Sequence, residues 1–186
     1  MGRLIYLMNV SLDGFIETTD QSVDWGTVDD ELHAWFNEQT QGLDASLYGR
    51  RVYELMAAYW PTAEDDPAAT ETMREFGRIW NPMPKVVFST TLGRVEDNAR
   101  LVSGDVGRVL AEVRREFDGD LAVAGPNLAG QFARAGLIDV YHLVVHPVVL
   151  GSGTPYWPEL DAPLSLRPTG SRAFGSGVVA TSYAAR

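Results

Sequence analysis

Two hydrophobic rhythms alternate along these 186 residues. Largely apolar runs of strand length stand at Leu4–Val10, Val86–Phe88 and Leu143–Leu150, with a short strand at Ala45–Tyr48. Runs of this kind belong to strands covered on both faces, as in a sheet with helices on each side. Between them the spacing turns helical. Leu32, Trp35, Phe36 and Gln39 share one face of a helix predicted over 30–41, with acidic residues in its first turn. After Asp105, the residues Val106, Val109, Leu110, Val113 and Phe117 form another such face. Asp66-Pro67 reads as an N-cap and first helical position, predicting a helix to about Trp80 that the Asn81–Pro84 stretch stops. Ser11–Ile16 is a turn, and the polar 17–28 and 61–66 stretches are expected to be the most flexible. Alternating apolar positions near 164–168 and 178–183 supply late strands, expected as an antiparallel edge. The pattern predicts one α/β domain over 1–186, a layered sandwich around a mixed, mostly parallel sheet.

The segment from Leu121 to Trp157 carries the most information. It runs strand, Gly-Pro turn, helix to Gly136, strand, then Gly151-Ser152-Gly153. In that order the turn's amides and the helix N-terminus can hold an anion such as a dinucleotide pyrophosphate. The same pattern also describes an ordinary strand-helix-strand unit whose glycines only make tight turns.

Composition narrows the chemistry. With no cysteine there is no disulfide framework, thiolate zinc site or thiol nucleophile, and no Pro-Cys-x-x-Cys deaminase signature. A net charge of −10 argues against general nucleic-acid binding. Lys85 is the only lysine, so an anionic ligand must be met by arginine and backbone amides. No stretch is apolar over a membrane-spanning length and no basic leader is evident, so the expected compartment is the cytoplasm. No metal site is expected: His33, His142 and His146 lack ligand spacing and read as structural or surface residues.

Neither G-x-G-x-x-G after a strand nor G-x-x-x-x-G-K-[ST] occurs. What remains is three junctions, each just after a predicted strand: Gly49-Arg50-Arg51, Ser89-Thr90-Thr91 and Gly125-Pro126-Asn127-Leu128. Strand ends in a twisted sheet can converge on one crevice, where three such turns would trace one extended polyphosphate ligand. Trp60 and Trp157 suit either a cleft for a planar ring or the core.

The chain resembles the dihydrofolate-reductase-like fold, and more narrowly the reductase domain at the C-terminus of the bacterial riboflavin deaminase-reductase, the RibD C-terminal family, with its small stand-alone relatives. The resemblance is carried by Ser11-Leu12-Asp13-Gly14, Tyr48-Gly49-Arg50-Arg51-x-Tyr53-Glu54, Val86-Val87-Phe88-Ser89, Gly136-Leu137-Ile138-Asp139 and His146-Pro147-Val148-Val149-Leu150-Gly151-Ser152-Gly153. It implies an NADPH-dependent reductase passing hydride to a pyrimidine- or pterin-like small molecule, with 5-amino-6-(5-phosphoribosylamino)uracil as the named example, and a homodimer. By the same resemblance Gly49, Arg50 and Arg51 approach the cofactor phosphates, and Ser89 and Thr90 meet the adenosine 2′-phosphate. Gly125, Pro126, Asn127 and Leu128 take the pyrophosphate, and Asp13, which is equally an Asp-Gly turn residue, sits where nicotinamide and substrate meet.

Several positions depart from the family patterns. Leu32 stands where dihydrofolate reductases carry an acid, and Val52 replaces their usual threonine. Val123-Ala124-Gly125 replaces the Glu-Gly-Gly of riboflavin-pathway reductases, and Asp65-Asp66-Pro67 lacks the Thr-Val-Arg that follows it there. Two alternatives therefore stand beside the pyrimidine reductase: a dihydrofolate reductase, and a non-catalytic module that binds NADP(H) or folate.

Overall fold

The computed structural model describes residues 2–95 and 98–186. Among the described residues ten strands are formed: β1 (Leu4–Ser11), β2 (Phe15–Glu17), β3 (Leu43–Gly49), β4 (Lys85–Phe88), β5 (Ala99–Val102), β6 (Asp120–Ala124), β7 (Val140–His146), β8 (Thr154–Pro155), β9 (Leu166–Ala173) and β10 (Val179–Ala185). Among the described residues five α-helices and a short 3-10 turn (Trp60–Thr62) accompany them: α1 (Asp30–Gln41), α2 (Arg50–Tyr59), α3 (Glu71–Trp80), α4 (Val106–Glu116) and α5 (Pro126–Arg134). Eight strands make one sheet in the order β5-β4-β3-β6-β1-β7-β10-β9. Every pairing from β5 to β7 is parallel, and β10 and β9 add on antiparallel.

Alternation along β1 and β3 divides the helices into two layers. Leu4, Tyr6 and Val10, with Ala45 and Leu47, pack against Val106, Val109, Leu110 and Val113 of α4 and Leu128 and Phe132 of α5. On the other face, Leu32 and Trp35 of α1 pack on Val144, Phe174, Val178 and Ala180, while Tyr53 of α2 packs near Tyr48 and Val87. The acid-for-leucine departure at 32 now has a structural reason. Leu32 is fully buried in that second core, where an ionised carboxylate would lack a partner.

α1 and α4 begin where the spacing places them, capped by Asp29 and Asp105. The third helix does not begin at Pro67. α3 starts at Glu71, because Thr70 takes the cap by accepting from the Met73 N–H. Asp66 is spent on a local turn, where Oδ1 accepts from the Ala68 N–H at 2.9 Å and Oδ2 from the Tyr59 hydroxyl at 3.1 Å. At the far end of α3, buried Lys85 donates to the carbonyls of Trp80, Asn81 and Met83, so the single lysine closes a helix rather than meeting a ligand.

Strand β5 was not legible in its four residues and exists through its pairing with β4. The late strands run longer than the alternation suggested, and β9 is exposed along nearly its whole length. Its sequence, with Arg167, Pro168 and Arg172, blunts the edge by charge and a missing N–H instead of presenting an apolar strand that needs cover.

Candidate active site

Because β4, β3 and β6 are neighbours, their C-terminal ends bring the three junction turns side by side. Gly125 adopts φ +101°, and a Cβ there would lie 3.2 Å from Val52 Cγ2 and 3.8 Å from the Gly49 nitrogen. The two glycine turns therefore touch, and helices α2 and α5 begin next to each other. Neither has a side-chain cap or an acidic residue in its first turn, unlike α1 and α3. First-turn amides have no acceptor within a helix, so both positive helix ends address one crevice. Pro126 at the first position of α5 gives up an N–H that the helix does not use.

The second junction supplies hydroxyls. Ser89 Oγ accepts from the Thr91 and Leu92 N–H groups at 3.1 and 3.0 Å, which fixes the turn, and Thr90 is exposed upon it. Arg50, half exposed, reaches across with Nη1 3.4 Å from Thr91 Oγ1. Thr91 thus joins the cluster; the Ser-Thr-Thr run was the signal for it.

Arg51 points elsewhere. Its Nη1 and Nη2 grip the two oxygens of buried Glu17 at 2.9 and 2.5 Å, and Nη2 also donates to the Gln21 carbonyl. Thr154 Oγ1 donates to Glu17 as well, at 2.6 Å. The 17–28 stretch expected to be flexible is instead pinned here, and again where the Trp25 ring stands edge-on to His146. Burial pushes the Glu17 carboxyl up, but the bonds from Arg51 and Thr154 and the arginine charge together hold it below the usual 4.5. The stability this carboxylate contributes is complete above that unfolded value and is lost as pH falls through the lower folded one. Glu17→Gln should cost about 1–3 kcal/mol at neutral pH, discounted because Arg51 is part exposed. Melting curves of the two proteins should converge as pH falls from roughly 5 to 3; a gap constant with pH would contradict the pairing.

Asp13 is a clamp. Its Oδ1 accepts from the Ser11 hydroxyl at 2.7 Å and the Leu150 N–H at 3.0 Å, and Oδ2 accepts from the Gly151 N–H at 2.7 Å. The Ser11 bond first, then the two amides, lower its pKa, so it stands ionised at neutral pH and is no store of protons. It holds the turn after β1 against the turn after β7, and the β2–β8 ribbon continues the seam.

Beside the crevice lies a cavity of about 500 Å³. Its floor is β1, β3 and β6, and its walls are α1, α2 and α3. Val52 and Ala124 line it and also border the glycine turns, so cavity and crevice share a wall. Trp60 lines it, packed on Phe76, whereas Trp157 packs among Tyr141 and Tyr156. His146 is buried, and His33 and His142 are partly buried. His33 and His142 line the cavity, and burial lowers the pKa of each. Asn37 donates from Nδ2 to the Thr72 carbonyl and Glu75, so its Oδ1 must accept from His33 Nδ1–H, leaving Nε2 of His33 as a bare acceptor. His146, 1% exposed, lies with Nε2 2.9 Å from Oδ1 of Asn9, a cavity residue. His33 and Asn9 escaped the motif reading because neither belongs to a spaced pattern; their role comes from the walls they share.

A sheet of six parallel strands with an antiparallel C-terminal pair, its strand ends opening on a crevice between two helix starts beside an apolar cavity, defines the dihydrofolate-reductase-like class. Residues 3–180 match the RibD C-terminal domain, and the chain belongs to that reductase-like family. It is 31% identical over 182 residues to the uncharacterized protein YyaP of Bacillus subtilis, covering 97% of this chain and 94% of that protein. Among solved structures it superposes on the Thermotoga maritima diaminohydroxyphosphoribosylaminopyrimidine deaminase/5-amino-6-(5-phosphoribosylamino)uracil reductase with a TM-score of 0.69 at 15% identity, covering 100% of this chain and 57% of that one. On Enterococcus faecalis dihydrofolate reductase complexed with NADP(H) the TM-score is 0.65 at 12% identity, with 99% and 96% covered.

Proposed function

We propose that the protein is an NADPH-dependent reductase. The observation that carries this reading is the meeting of two uncapped helix starts at Gly49 and Gly125, one wall away from the cavity. Donors of that kind fit a pyrophosphate, and the cluster of Arg50, Ser89, Thr90 and Thr91 at the next strand end fits a 2′-phosphate. Gly49, Gly125, Asn127 and Leu128 would hold the pyrophosphate through backbone N–H groups, with Pro126 setting the first turn of α5 and Arg51 bracing α2 by way of Glu17. When bound, NADPH supplies a hydride from its nicotinamide. The protein's own part is to orient ring and acceptor across the Val52–Ala124 wall and to keep the turn at Asp13 in place. Asp13 thereby acts on catalysis through position, with the proton coming from solvent.

Fluorescence titration with NADPH and NADH tests the cofactor assignment. Preference for NADPH is expected; equal affinity for both, or binding of neither, rejects it. A homodimer belongs to the same reading on family likeness. Light scattering should then give twice the 20.4 kDa chain mass at micromolar concentration, and a single-chain mass would refute it.

A further inference from the structure

We propose that the acceptor reduced at this site is an uncharged, mainly apolar planar molecule with a hydrogen-bonding carbonyl, of the quinone or conjugated-enone class. The inference rests on the reductase reading and goes beyond it to the substrate. Among the described residues, none that lines the cavity is Asp, Glu, Lys or Arg. A charged ring substituent would enter without a counter-ion, and an unpaired charge in apolar surroundings is strongly disfavoured.

The arginines of the two flanking helices do not relieve this. Arg51 is held by Glu17, Arg74 donates to the Asp66 carbonyl, and Arg78 pairs with Glu64 and Glu71. The charges nearest the cavity that act on His33 are the carboxylates of Asp30 and Glu75, which oppose an anion. With Arg50 assigned to the cofactor's 2′-phosphate, a phosphoribosyl chain or a glutamyl tail meets no other free cation from these helices, and a pterin finds no carboxylate among the described residues that line the cavity. Polar recognition is left to a few neutral groups. Ser46 and His142 are engaged, with Met83 and Ser182, and the Tyr48 hydroxyl accepts from the indole of Trp80. Asn9, with its Oδ1 against His146, keeps its amide available to a carbonyl oxygen, and the Gln39 carboxamide also lines the cavity, whereas the bare Nε2 of His33 can only accept. Phe36, Met56 and Trp60 supply apolar walls for a ring.

The reaction balances simply. Hydride from NADPH and one proton convert a quinone to its hydroquinone and leave NADP⁺.

The test uses three bicyclic probes: 1,4-naphthoquinone, its 2-sulfonate and 1-methylquinolinium. The absence of cysteine leaves quinones no thiol to alkylate. Binding to the cofactor-free protein is read by quenching of tryptophan fluorescence, since Trp60 lines the cavity, and NADPH oxidation is followed separately. The neutral quinone should bind at least about tenfold more tightly than either charged probe, a difference of about 1.4 kcal/mol. Met56→Arg, checked for folding by circular dichroism, should shrink the preference over the sulfonate by a similar factor. Equal or tighter binding of a charged probe, or no binding of the neutral one, overturns the proposal. Selective neutral binding without NADPH oxidation keeps this account of the cavity but overturns the acceptor assignment, and the NADPH titration above separately decides the reductase reading.

Discussion

Gly153→Ala is expected to be among the most damaging single substitutions in this protein, lowering stability by about 3–5 kcal/mol. Gly153 has φ +148°, and a Cβ there would lie 1.9 Å from the Glu17 carbonyl oxygen. That obstacle is backbone, so no rotamer change relieves it. The β2–β8 ribbon would have to part, and with it the Thr154 bond to Glu17. Gly151→Ala is the matched control. It also has a positive φ, +77°, but nothing lies within 4 Å of its added Cβ. Only the backbone penalty of about 1–2 kcal/mol applies there. Urea unfolding of the two variants separates steric collision from backbone strain. Equal losses would remove the close approach as the cause.

Arg50→Ala should weaken NADPH binding by about 1.5–3 kcal/mol and leave NADH nearly unchanged. Arg50 is half exposed and reaches Thr91 across the crevice, with Glu54 no nearer than 3.8 Å, so its guanidinium can turn to a phosphate at little cost. Arg51 is the informative comparison. The sequence places the two arginines on equal terms, but the structure commits Arg51 to Glu17. Arg51→Ala should therefore reduce stability and lower affinity for both cofactors together, with little change in their ratio. Parallel titrations of both variants check this. A ratio that collapses in Arg51→Ala and not in Arg50→Ala would exchange the two roles.

Much of the architecture could be read before any coordinates because local signals and tertiary packing agree. Leu4–Val10 is apolar but for Asn9 since helices cover both faces of β1. Asp29 and Asp105 cap because each stands just ahead of an amphipathic run with no competing cap. Where two local solutions competed, sequence favoured the wrong one: Asp66-Pro67 has good capping chemistry, yet Thr70 four residues later wins while Asp66 bonds Ala68 and Tyr59.

The chain by itself determined the residue types at each strand end: glycines that permit close turns, hydroxyls, arginines, and no acid to compete with an anion. These are local properties, set by the absence of a Cβ or the presence of a donor. Only the folded sheet decided which of them share a space. The order β4-β3-β6 brings Gly49 to Gly125 and Arg50 to Thr91, and the pairing of β2 with β8 turns Arg51 away to Glu17. The charge-free cavity is likewise a tertiary product. Its walls come from segments as distant as Ile5 and His142, and no window of sequence shows that the polar residues between them face another way.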